Sequence, residues 1–540
     1  MSMKPTVAYF SAEYSVADSL PIYAGGLGIL AGDAVQQAGL DGRDFHAIGL
    51  VYHKAFTGGD PDARPLTVRL QMEGFEVVQD ANGVALLVSA PVEGRVVRAQ
   101  AWRKTFNTAE LLLLDTNIED NTEVDRGITN HLYDSDLNVK IAQQLVLGYG
   151  GVDLLGKLGV IPTVFHMNEG HMSFAGLAVA TAHQEANPSL TLAKAITAVR
   201  PKLVATKHTI LPGAGITLSR EQLDTAVGPH LSVCNGSVDD VMALGGKPDG
   251  YFSTTRLMLA LAGKSSGVAK IHVAAEAEAH PGSPLIPITN GVFEPRWRAS
   301  NWTKTPLELS DAELWHEHNH NRQRLLLHVA AETGVELDPD ILTVVWARRM
   351  TAYKRPELLV EDLERLKKLA QLADKPVQFI VSGQANPADT VGVDLMNKVI
   401  DASKTAGLEG RFAYLPHYNP ASARMLAQGA DLWLNTPIRG MEACGTSGMK
   451  ASLNGALQFS TSDGWIDEVD IPTIGWRLAD QDFAESLYHT LEWDIAPLFY
   501  DRVNTIPEKW VANMRTNIEL IEQQFTSKRM LDEYYEKLYI

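Results

Sequence analysis

The most informative part of this chain is the stretch Glu442-Ala443-Cys444-Gly445-Thr446-Ser447-Gly448-Met449-Lys450-Ala451-Ser452-Leu453-Asn454. Its small residues lead into a helical pattern, and its only cation, Lys450, lies one turn inside that pattern. If the helix begins near Gly445, Thr446 and Lys450 share a face, because residues four apart are neighbours on a helix. Free N–H groups at a helix start bind phosphate, and a lysine amine condenses with an aldehyde. One ligand carries both groups, so the stretch indicates a site for pyridoxal phosphate.

The same stretch has two other interpretations. A Gly-Thr-Ser-Gly run is most often an ordinary loop-to-helix junction whose lysine reaches towards solvent. A nucleotide-binding P-loop needs Gly-Lys followed by Ser or Thr, whereas Met449 precedes Lys450 and Ala451 follows it here. The helix start and the lysine one turn later both suit pyridoxal phosphate, which favours this ligand over the two alternatives.

Length, charge and cysteine content limit the class of protein. A chain of 540 residues with 45% hydrophobic residues is too long for a single core, so we expect two or more domains. No apolar stretch approaches a bilayer span and no leader opens the chain, so we expect no membrane association. Two cysteines, Cys234 and Cys444, cannot build a disulfide framework and favour the reducing cytoplasm. The net charge of −18 argues against nucleic acid as a partner.

Short apolar runs alternate with helical patterns through most of the chain, which predicts parallel α/β sheets. Typical domain sizes favour two Rossmann-like domains over one very wide sheet. Because the periodicity breaks near residues 290–305, we expect an N-terminal domain at residues 1–298 and a C-terminal domain at 299–520. A terminal helix at 521–540 could cross back to the first domain. The predicted elements include the strands Leu342–Ala347 and Val377–Ser382 and the helices Asp311–Thr333, Pro356–Leu372 and Trp510–Ile540.

A basic segment, Arg348-Arg349-Met350-Thr351-Ala352-Tyr353-Lys354-Arg355, follows the predicted strand Leu342–Ala347. Charge runs are usually solvated faces. Ligands of α/β sheets, however, gather at the carboxyl ends of strands, and arginine and lysine both bind phosphate. Because the chain as a whole is acidic, a basic segment at the end of a strand favours a pocket that binds an oxyanion such as phosphate.

A glycine-rich loop, Pro21-Ile22-Tyr23-Ala24-Gly25-Gly26-Leu27-Gly28, follows the first predicted strand. Glycines allow the backbone to approach an anion closely, although such a loop is more often only a turn. Two histidines, His171 and His208, also follow predicted strands, where a single histidine is usually structural.

Two other groups of residues resemble functional sites and are interpreted otherwise. His316, His318 and His320 do not share one helix face, so we predict a solvated helix rather than a metal site. Cys444 has no base partner that spacing identifies, so we do not expect a nucleophile.

Residues 442–454 closely resemble the pyridoxal-phosphate attachment site of the α-glucan (glycogen, starch, maltodextrin) phosphorylases. The resemblance runs from the first strand to the terminal helix and is closest to the short prokaryotic type. It implies an α/β fold of GT-B type, with two Rossmann-like domains and the active site in the interdomain cleft. Gln384, where the family commonly has lysine, and Cys444, where it commonly has serine, depart from the pattern, and these departures bear on the acceptor preference more than on the reaction.

The resemblance also implies roles for individual residues. The catalytic residues would be Lys450, Arg349, Lys354 and His208. Besides Lys450, the residues that contact pyridoxal phosphate would be Thr446, Gly445, Gly26, Arg348, Tyr418 and Trp297. The residues that contact the substrates would be Gly25, Leu27, Asn290, Glu442, Cys444, Gly445 and His171, and no metal ligand is expected.

The activity that the resemblance implies is retaining phosphorolysis of an α-1,4-glucan such as glycogen or maltodextrin. Inorganic phosphate is the second substrate and glucose 1-phosphate the product, and the cofactor phosphate relays a proton to the substrate phosphate. The resemblance also implies a homodimer. Two alternatives stay open: a sugar-nucleotide-dependent glucosyltransferase of the starch-synthase type, which shares the glycine loop, and a catalytically inactive glucan-binding protein on the same scaffold.

Overall fold

Buried apolar runs of the sequence form the parallel strands of two large sheets, each in its own unit of the chain. The computed structural model describes residues 5–540 except 55–61, 63, 211–214, 280–281, 283, 303, 388 and 480. The first unit comprises Met1–Val268, Val273–Ile288 and Met530–Ile540, and the second comprises Ala269–His272 and Thr289–Arg529. The division thus falls at 288/289, ten residues before the expected one, and residues 530–540 belong to the first unit.

The first unit is built on a ten-stranded sheet with the order β12-β11-β8-β7-β1-β2-β6-β5-β3, in which β4 also pairs with β5. Strands from β12 to β6 are parallel, whereas β5 is antiparallel to β3, β4 and β6. A separate pair of short strands is formed by β9 and β10. The strands are β1 (Val7–Phe10), β2 (Phe45–Leu50), β3 (Glu76–Val77), β4 (Leu87–Val92), β5 (Arg95–Phe106), β6 (Ala109–Asp115), β7 (Val164–Asn168), β8 (Leu203–Lys207), β9 (Thr217–Leu218), β10 (Phe252–Ser253), β11 (Lys264–Gly267) and β12 (Leu285–Pro287).

The second unit is built on a six-stranded, fully parallel sheet with the order β15-β14-β13-β16-β17-β18. The chain winds outwards in both directions from β13, so the order reverses between β13 and β16. Ligands of such sheets bind at the carboxyl ends of the strands on either side of this switch point. The strands are β13 (Leu342–Ala347), β14 (Val377–Ser382), β15 (Phe412–Leu415), β16 (Leu432–Asn435), β17 (Leu457–Ser460) and β18 (Gly475–Arg477).

Helices connect the strands of both units. Those before residue 280 are α1 (Gly26–Leu40), α2 (Leu66–Met72), α3 (Glu123–Arg126), α4 (Leu137–Leu145), α5 (Gly151–Lys157), α6 (Ser173–Ala186), α7 (Leu192–Val199), α8 (Arg220–Val233), α9 (Val238–Gly245), α10 (Thr254–Leu261) and α11 (Lys270–Ala279). The later ones are α12 (Glu294–Trp297), α13 (Asp311–Thr333), α14 (Leu363–Ala370), α15 (Thr390–Ser403), α16 (Pro420–Gly429), α17 (Thr446–Ser452), α18 (Ile471–Ile474), α19 (Phe483–Thr490), α20 (Ala496–Tyr500), α21 (Glu508–Gln524) and α22 (Ser527–Glu533). Among the helices described, none has the length and apolar character needed to cross a membrane.

Several predicted elements have the predicted ends. Strands β13 and β14 match, and α13 matches because local signals fix both of its ends: Ser310 and Glu313 form a capping box, and Gly334 closes the helix in the left-handed conformation.

Two helix predictions were wrong. The predicted helix Pro356–Leu372 is a 3₁₀ turn, Pro356–Val360, followed by α14, because extended Asp362 caps a new helix by accepting from Arg365 N–H. The predicted tail helix is interrupted after α21. There Val292 N–H donates to Phe525 O at 2.9 Å and Ser527 N–H donates to Val292 O at 2.8 Å. Phe525 has φ −130° and ψ 32°, outside the helical region, and Thr526 pairs with Val292 in an isolated parallel bridge, so the helix stops.

The last residues of the chain complete the core of the first unit. Leu531, Tyr534 and Leu538 are buried in the same apolar cluster as the strands of the large sheet. The Tyr539 hydroxyl lies 2.7 Å from Nδ1 of His166, which sits on β7, and burial lowers the pKa of His166 to about 3. His166 is therefore a neutral partner in a packed interior.

Candidate active site

The site of the second unit lies at the switch point of its sheet. Strand β13 ends at Ala347 and leads into Arg348, while β16 ends at Asn435 and leads through a loop to Glu442 and α17. The buried carboxylate of Asp463 holds this loop, because Oδ2 accepts from the N–H groups of Met441 and Glu442 at 3.2 and 2.9 Å. Glu442 is thereby fixed beside the end of β13.

Two cations converge on the Glu442 carboxylate. Arg348 Nη2 donates to Oε2 at 2.8 Å and Lys354 Nζ donates to the same oxygen at 2.6 Å, and all three side chains are buried. Burial alone would raise the pKa of Glu442, but the charges of Lys354 and Arg348 outweigh it and lower the pKa to about 2. The carboxylate is therefore ionised at neutral pH, and the cluster carries one more positive charge than negative.

Arg348 has further donors that the described protein atoms do not use. Its Nε and Nη1 atoms are buried and have no hydrogen-bond partner among the described residues. The Tyr418 hydroxyl lies nearby and donates to Ala347 O at 3.4 Å, and burial raises the pKa of Tyr418 to about 12. Buried donors without a partner are destabilising, so the guanidinium is suited to an anionic ligand that accepts from them.

Helix α17 begins as the sequence predicted, with Gly445 as its N-cap and Thr446 as its first residue. Gly445 has φ +79°, a left-handed conformation that glycine adopts without strain. A Cβ atom there would lie 3.3 Å from Glu442 Cγ and 3.4 Å from Arg348 Nη2. A glycine is therefore required for the helix to start against the cationic cluster.

Lys450 lies on α17, one turn beyond Thr446, and is buried against an aromatic ring. Its Nζ is 3.8 Å from the ring centroid of Trp297, which is fully buried. The amide of Asn454 fixes both neighbours: Nδ2 donates to Lys450 O and to Trp297 O, each at 2.9 Å, and Oδ1 accepts from Ala299 N–H at 2.9 Å. Lysine and tryptophan are thus held in place by one side chain.

Two predicted substrate contacts, Cys444 and Asn290, also meet in the second unit, where the Asn290 backbone is hydrogen-bonded to the Cys444 thiol. Burial, together with the charge of Glu468, raises the pKa of Cys444 well above its usual range, so the thiol is neutral. That Cys444 is not a nucleophile stays a prediction. The Oδ1 atom of Asn290 is buried and has no partner in the described parts of the chain.

In the first unit, the glycine-rich loop is held by a buried carboxylate, Glu13. Its Oε2 accepts from the N–H groups of Ala24 and Gly25 at 2.5 and 3.0 Å, and its Oε1 accepts from the Tyr133 hydroxyl at 2.8 Å. A Cβ atom on Gly25 or Gly26 would meet no described heavy atom within 4 Å. Gly25 caps α1, and the half-buried Leu27 follows Gly26 within that helix.

The two predicted histidines of the first unit follow β7 and β8. His208 Nε2 lies 2.5 Å from Asn168 Oδ1, and His208 N–H donates to Glu169 Oε2 at 3.0 Å. His171 lines a cavity of about 180 Å³ together with Tyr133, and burial lowers its pKa to about 4. Both imidazoles are thus placed at strand ends, as predicted; Leu211 and Pro212, which follow His208, lie outside the described residues.

Arg349 lies outside the buried cluster of Arg348, Lys354 and Glu442. Arg349 is exposed and makes none of the ion pairs among the described residues, whereas its neighbour Arg348 is buried in the cluster.

The prediction of a solvated helix face at His316, His318 and His320 was wrong for His318, which is fully buried and places Nε2 2.9 Å from Asp431 Oδ1. A histidine that pairs with a buried carboxylate is part of the core.

The chain is similar to known proteins over the part that contains Glu442 and α17. A family model described as carbohydrate phosphorylase matches residues 309–472. The chain is 33% identical to the glycogen phosphorylase of Aquifex aeolicus, over 99% of this chain and 86% of the relative. The chain belongs to the carbohydrate phosphorylase family.

Two other phosphorylases also match nearly the whole chain. The maltodextrin phosphorylase of Thermococcus litoralis is 32% identical over 99% of this chain and 70% of the relative. The glycogen phosphorylase of Mycobacterium tuberculosis gives the same figures, 32%, 99% and 70%. As a member of this family the chain is a glycosyltransferase enzyme, and the predicted GT-B fold class with two Rossmann-like domains is confirmed.

Three residues that hold predicted site residues within their own units were not assigned roles from the sequence. They are Asp463, which holds the loop before Glu442, Asn454, which joins Lys450 to Trp297, and Glu13, which holds the glycine loop. Asn454 lies within the quoted stretch, yet its bonds reach residues far away in sequence. The only local signal for it was a polar residue directly after an apolar helical pattern.

Proposed function

We propose that the chain removes the terminal glucosyl unit of an α-1,4-glucan with inorganic phosphate and releases glucose 1-phosphate with retained configuration. The named relatives support this, since they are glycogen and maltodextrin phosphorylases. The observation that carries the proposal is the buried pair of cations, Arg348 and Lys354, at the switch point of the second sheet. Such a pair binds and orients a phosphate in a chain whose overall charge repels it.

We infer that the same site holds pyridoxal phosphate on Lys450. The residues present fit this group: a buried amine against the Trp297 ring, a helix start without a side chain at Gly445, and the unused buried donors of Arg348. Thr446 and Tyr418 would contribute further contacts. When bound, the cofactor supplies a phosphate group that can exchange a proton with the substrate phosphate.

Charge balance explains why the site needs two buried cations. Two like unit charges 4 Å apart repel by about 4 kcal/mol at an effective dielectric constant of 20, and paired phosphates carry more than one charge each. Arg348 and Lys354 offset this repulsion, and the bond of each to Glu442 fixes its position before phosphate arrives. Arg349, exposed in this structure, stays a predicted phosphate ligand.

The sugar is assigned to the acceptors beside the cations. Glu442 is ionised and Asn290 Oδ1 is buried without a partner among the described atoms, so both can accept from glucose hydroxyl groups. Cys444 forms a neutral wall beside them. The contacts predicted for residues of the first unit, Gly25, Gly26, Leu27, His171 and His208, remain predictions.

The proposal is tested by the absorbance spectrum of the purified protein, followed by borohydride reduction and peptide mapping. We expect near-ultraviolet or violet cofactor absorbance, a cofactor adduct on Lys450, and glucose 1-phosphate formation from maltodextrin and phosphate without a sugar nucleotide. An unmodified Lys450 peptide would overturn the cofactor assignment. Binding of glucan without phosphorolysis would instead identify the inactive alternative, and dependence on a sugar nucleotide the starch-synthase type.

Location and assembly are proposed from the family alone. We expect a cytoplasmic homodimer, which cell fractionation and sedimentation of the purified protein check.

A further inference from the structure

Three potential metal ligands meet in the first unit on the ends of two helices. Glu185 lies in the last turn of α6, His230 lies in the last turn of α8, and Cys234 caps α8. One ligand atom from each residue lies within 4.8 Å of the other two. None of the three residues belongs to the glycine loop or to the strand-end histidines.

The distances suit a shared metal ion. The Cys234 sulfur lies 3.5 Å from Glu185 Oε1 and 3.8 Å from His230 Nε2. Zinc–sulfur and zinc–nitrogen distances of about 2.3 and 2.0 Å, with tetrahedral angles, place neighbouring ligand atoms roughly 3.5 Å apart. The two distances from sulfur therefore match one shared ion to within a few tenths of an ångström, and the third separation, between Glu185 and His230, is at most 4.8 Å.

Local structure already orients these ligands. His230 and Cys234 are four residues apart, so they share a helix face, and Cys234 N–H donates to His230 O at 3.2 Å. The Tyr149 ring packs edge-on against the His230 ring with centroids 4.9 Å apart, which restricts the imidazole. Cys234 is buried, whereas Glu185 is exposed, so solvent can reach one side of the group.

We propose that Glu185, His230 and Cys234 form a binding site for one divalent transition-metal ion of the zinc class, with water as the fourth ligand. Thiolate and imidazole favour such ions over magnesium and calcium, and three protein ligands leave a fourth tetrahedral position for water. On binding, the Cys234 thiol releases its proton to solvent and His230 coordinates through Nε2 as neutral imidazole. The ion joins the ends of α6 and α8, and α6 begins directly after the turn that carries His171.

The test is a titration of the chelator-treated full chain with Co²⁺, whose tetrahedral thiolate complexes absorb visible light beyond the cofactor bands. We expect one equivalent to bind with this absorbance and Zn²⁺ to displace it. The chain has two cysteines, so the Cys444→Ser variant should keep the band and Cys234→Ser should lose it. No stoichiometric binding, or a band that survives in Cys234→Ser, would overturn the proposal.

Glu185→Gln keeps the test decisive if the buried cysteine variant fails to fold, because Glu185 is exposed. Losing a ligand should weaken Zn²⁺ binding at least as much as losing an outer partner of a ligand, which is 10- to 100-fold. Glu221→Gln, an exposed change at the other end of α8, is the matched control and should bind as the unchanged chain does. Equal affinity in both variants would mean adventitious binding by other surface groups and would also overturn the site.

Discussion

Replacing Glu442 by glutamine tests the electrostatic account of the cationic cluster. The change removes one negative charge but keeps the size of the side chain, and it leaves Arg348 and Lys354 buried without their counter-ion. The pKa of Glu442 is about 2 against an ordinary value of 4.5. At 1.36 kcal/mol per pKa unit this corresponds to about 3 kcal/mol of stabilisation, similar to the 3–5 kcal/mol typical of breaking a buried pair.

The sign of the pH dependence follows from the lowered pKa. A carboxyl whose pKa falls on folding stabilises the native state above its unfolded pKa and loses that contribution as pH drops through the folded value. The unchanged chain should therefore lose about 3 kcal/mol between roughly pH 4.5 and 2, and Glu442→Gln should lack this part of the profile. Inorganic phosphate should stabilise the variant more than the unchanged chain, because it restores an anion to the two cations.

The assay is urea unfolding followed by tryptophan fluorescence. Trp102 is the only one of the ten tryptophans outside the second unit, so the signal reports mainly on that unit. Glu364→Gln is the matched control, because Glu364 is exposed and pairs with Lys367 on the surface of α14, where an ion pair contributes about 0–1 kcal/mol. If Glu442→Gln lost less than about 0.5 kcal/mol at pH 7, the size of an ordinary surface change, the reasoning would be refuted.

Three other predictions concern the same unit. Lys450→Ala should abolish cofactor retention and activity together; cofactor absorbance that persists after gel filtration would contradict this. Arg348→Ala should raise the KM for phosphate at least tenfold, or about 1.4 kcal/mol, because the donors it removes are buried; the same assay on Arg349→Ala shows whether the exposed arginine contributes. Asn454→Ala should lower the unfolding free energy by roughly 1–3 kcal/mol, because it leaves buried partners at Lys450 and Trp297 unsatisfied, and should speed cofactor loss; unchanged cofactor release would show that Asn454 does not position Lys450.

Local signals account for what the sequence predicted correctly. The start of α17 could be placed because a glycine followed by small residues is a local pattern, and both ends of α13 carry their own capping residues. The basic segment could be placed at the carboxyl end of β13 because it follows that strand directly. Buried Arg348 and exposed Arg349, however, are adjacent in sequence, and only the packed loop around Glu442 separates their environments.

What could not be predicted depends on contacts between distant residues. Asn454 bonds to Trp297, 157 residues away, and no local pattern carries that information. The antiparallel hairpin of β4 and β5 was missed because its two-residue turn is Glu93-Gly94, both with positive φ, rather than the common Asn-Gly or Asp-Gly. The break after α21 follows from pairing with Val292, again far away in sequence.

The place of the last residues has a consequence for synthesis. Because residues 530–540 fill the interior around His166 and β7, the first unit lacks part of its core until the ribosome has translated the whole second unit. Nascent chains usually acquire structure domain by domain from the amino end. In this chain the first unit exposes apolar surface until residues 530–540 have been synthesised. We therefore expect chaperones to bind the nascent chain throughout translation of the second unit and to be released once these residues emerge from the ribosome.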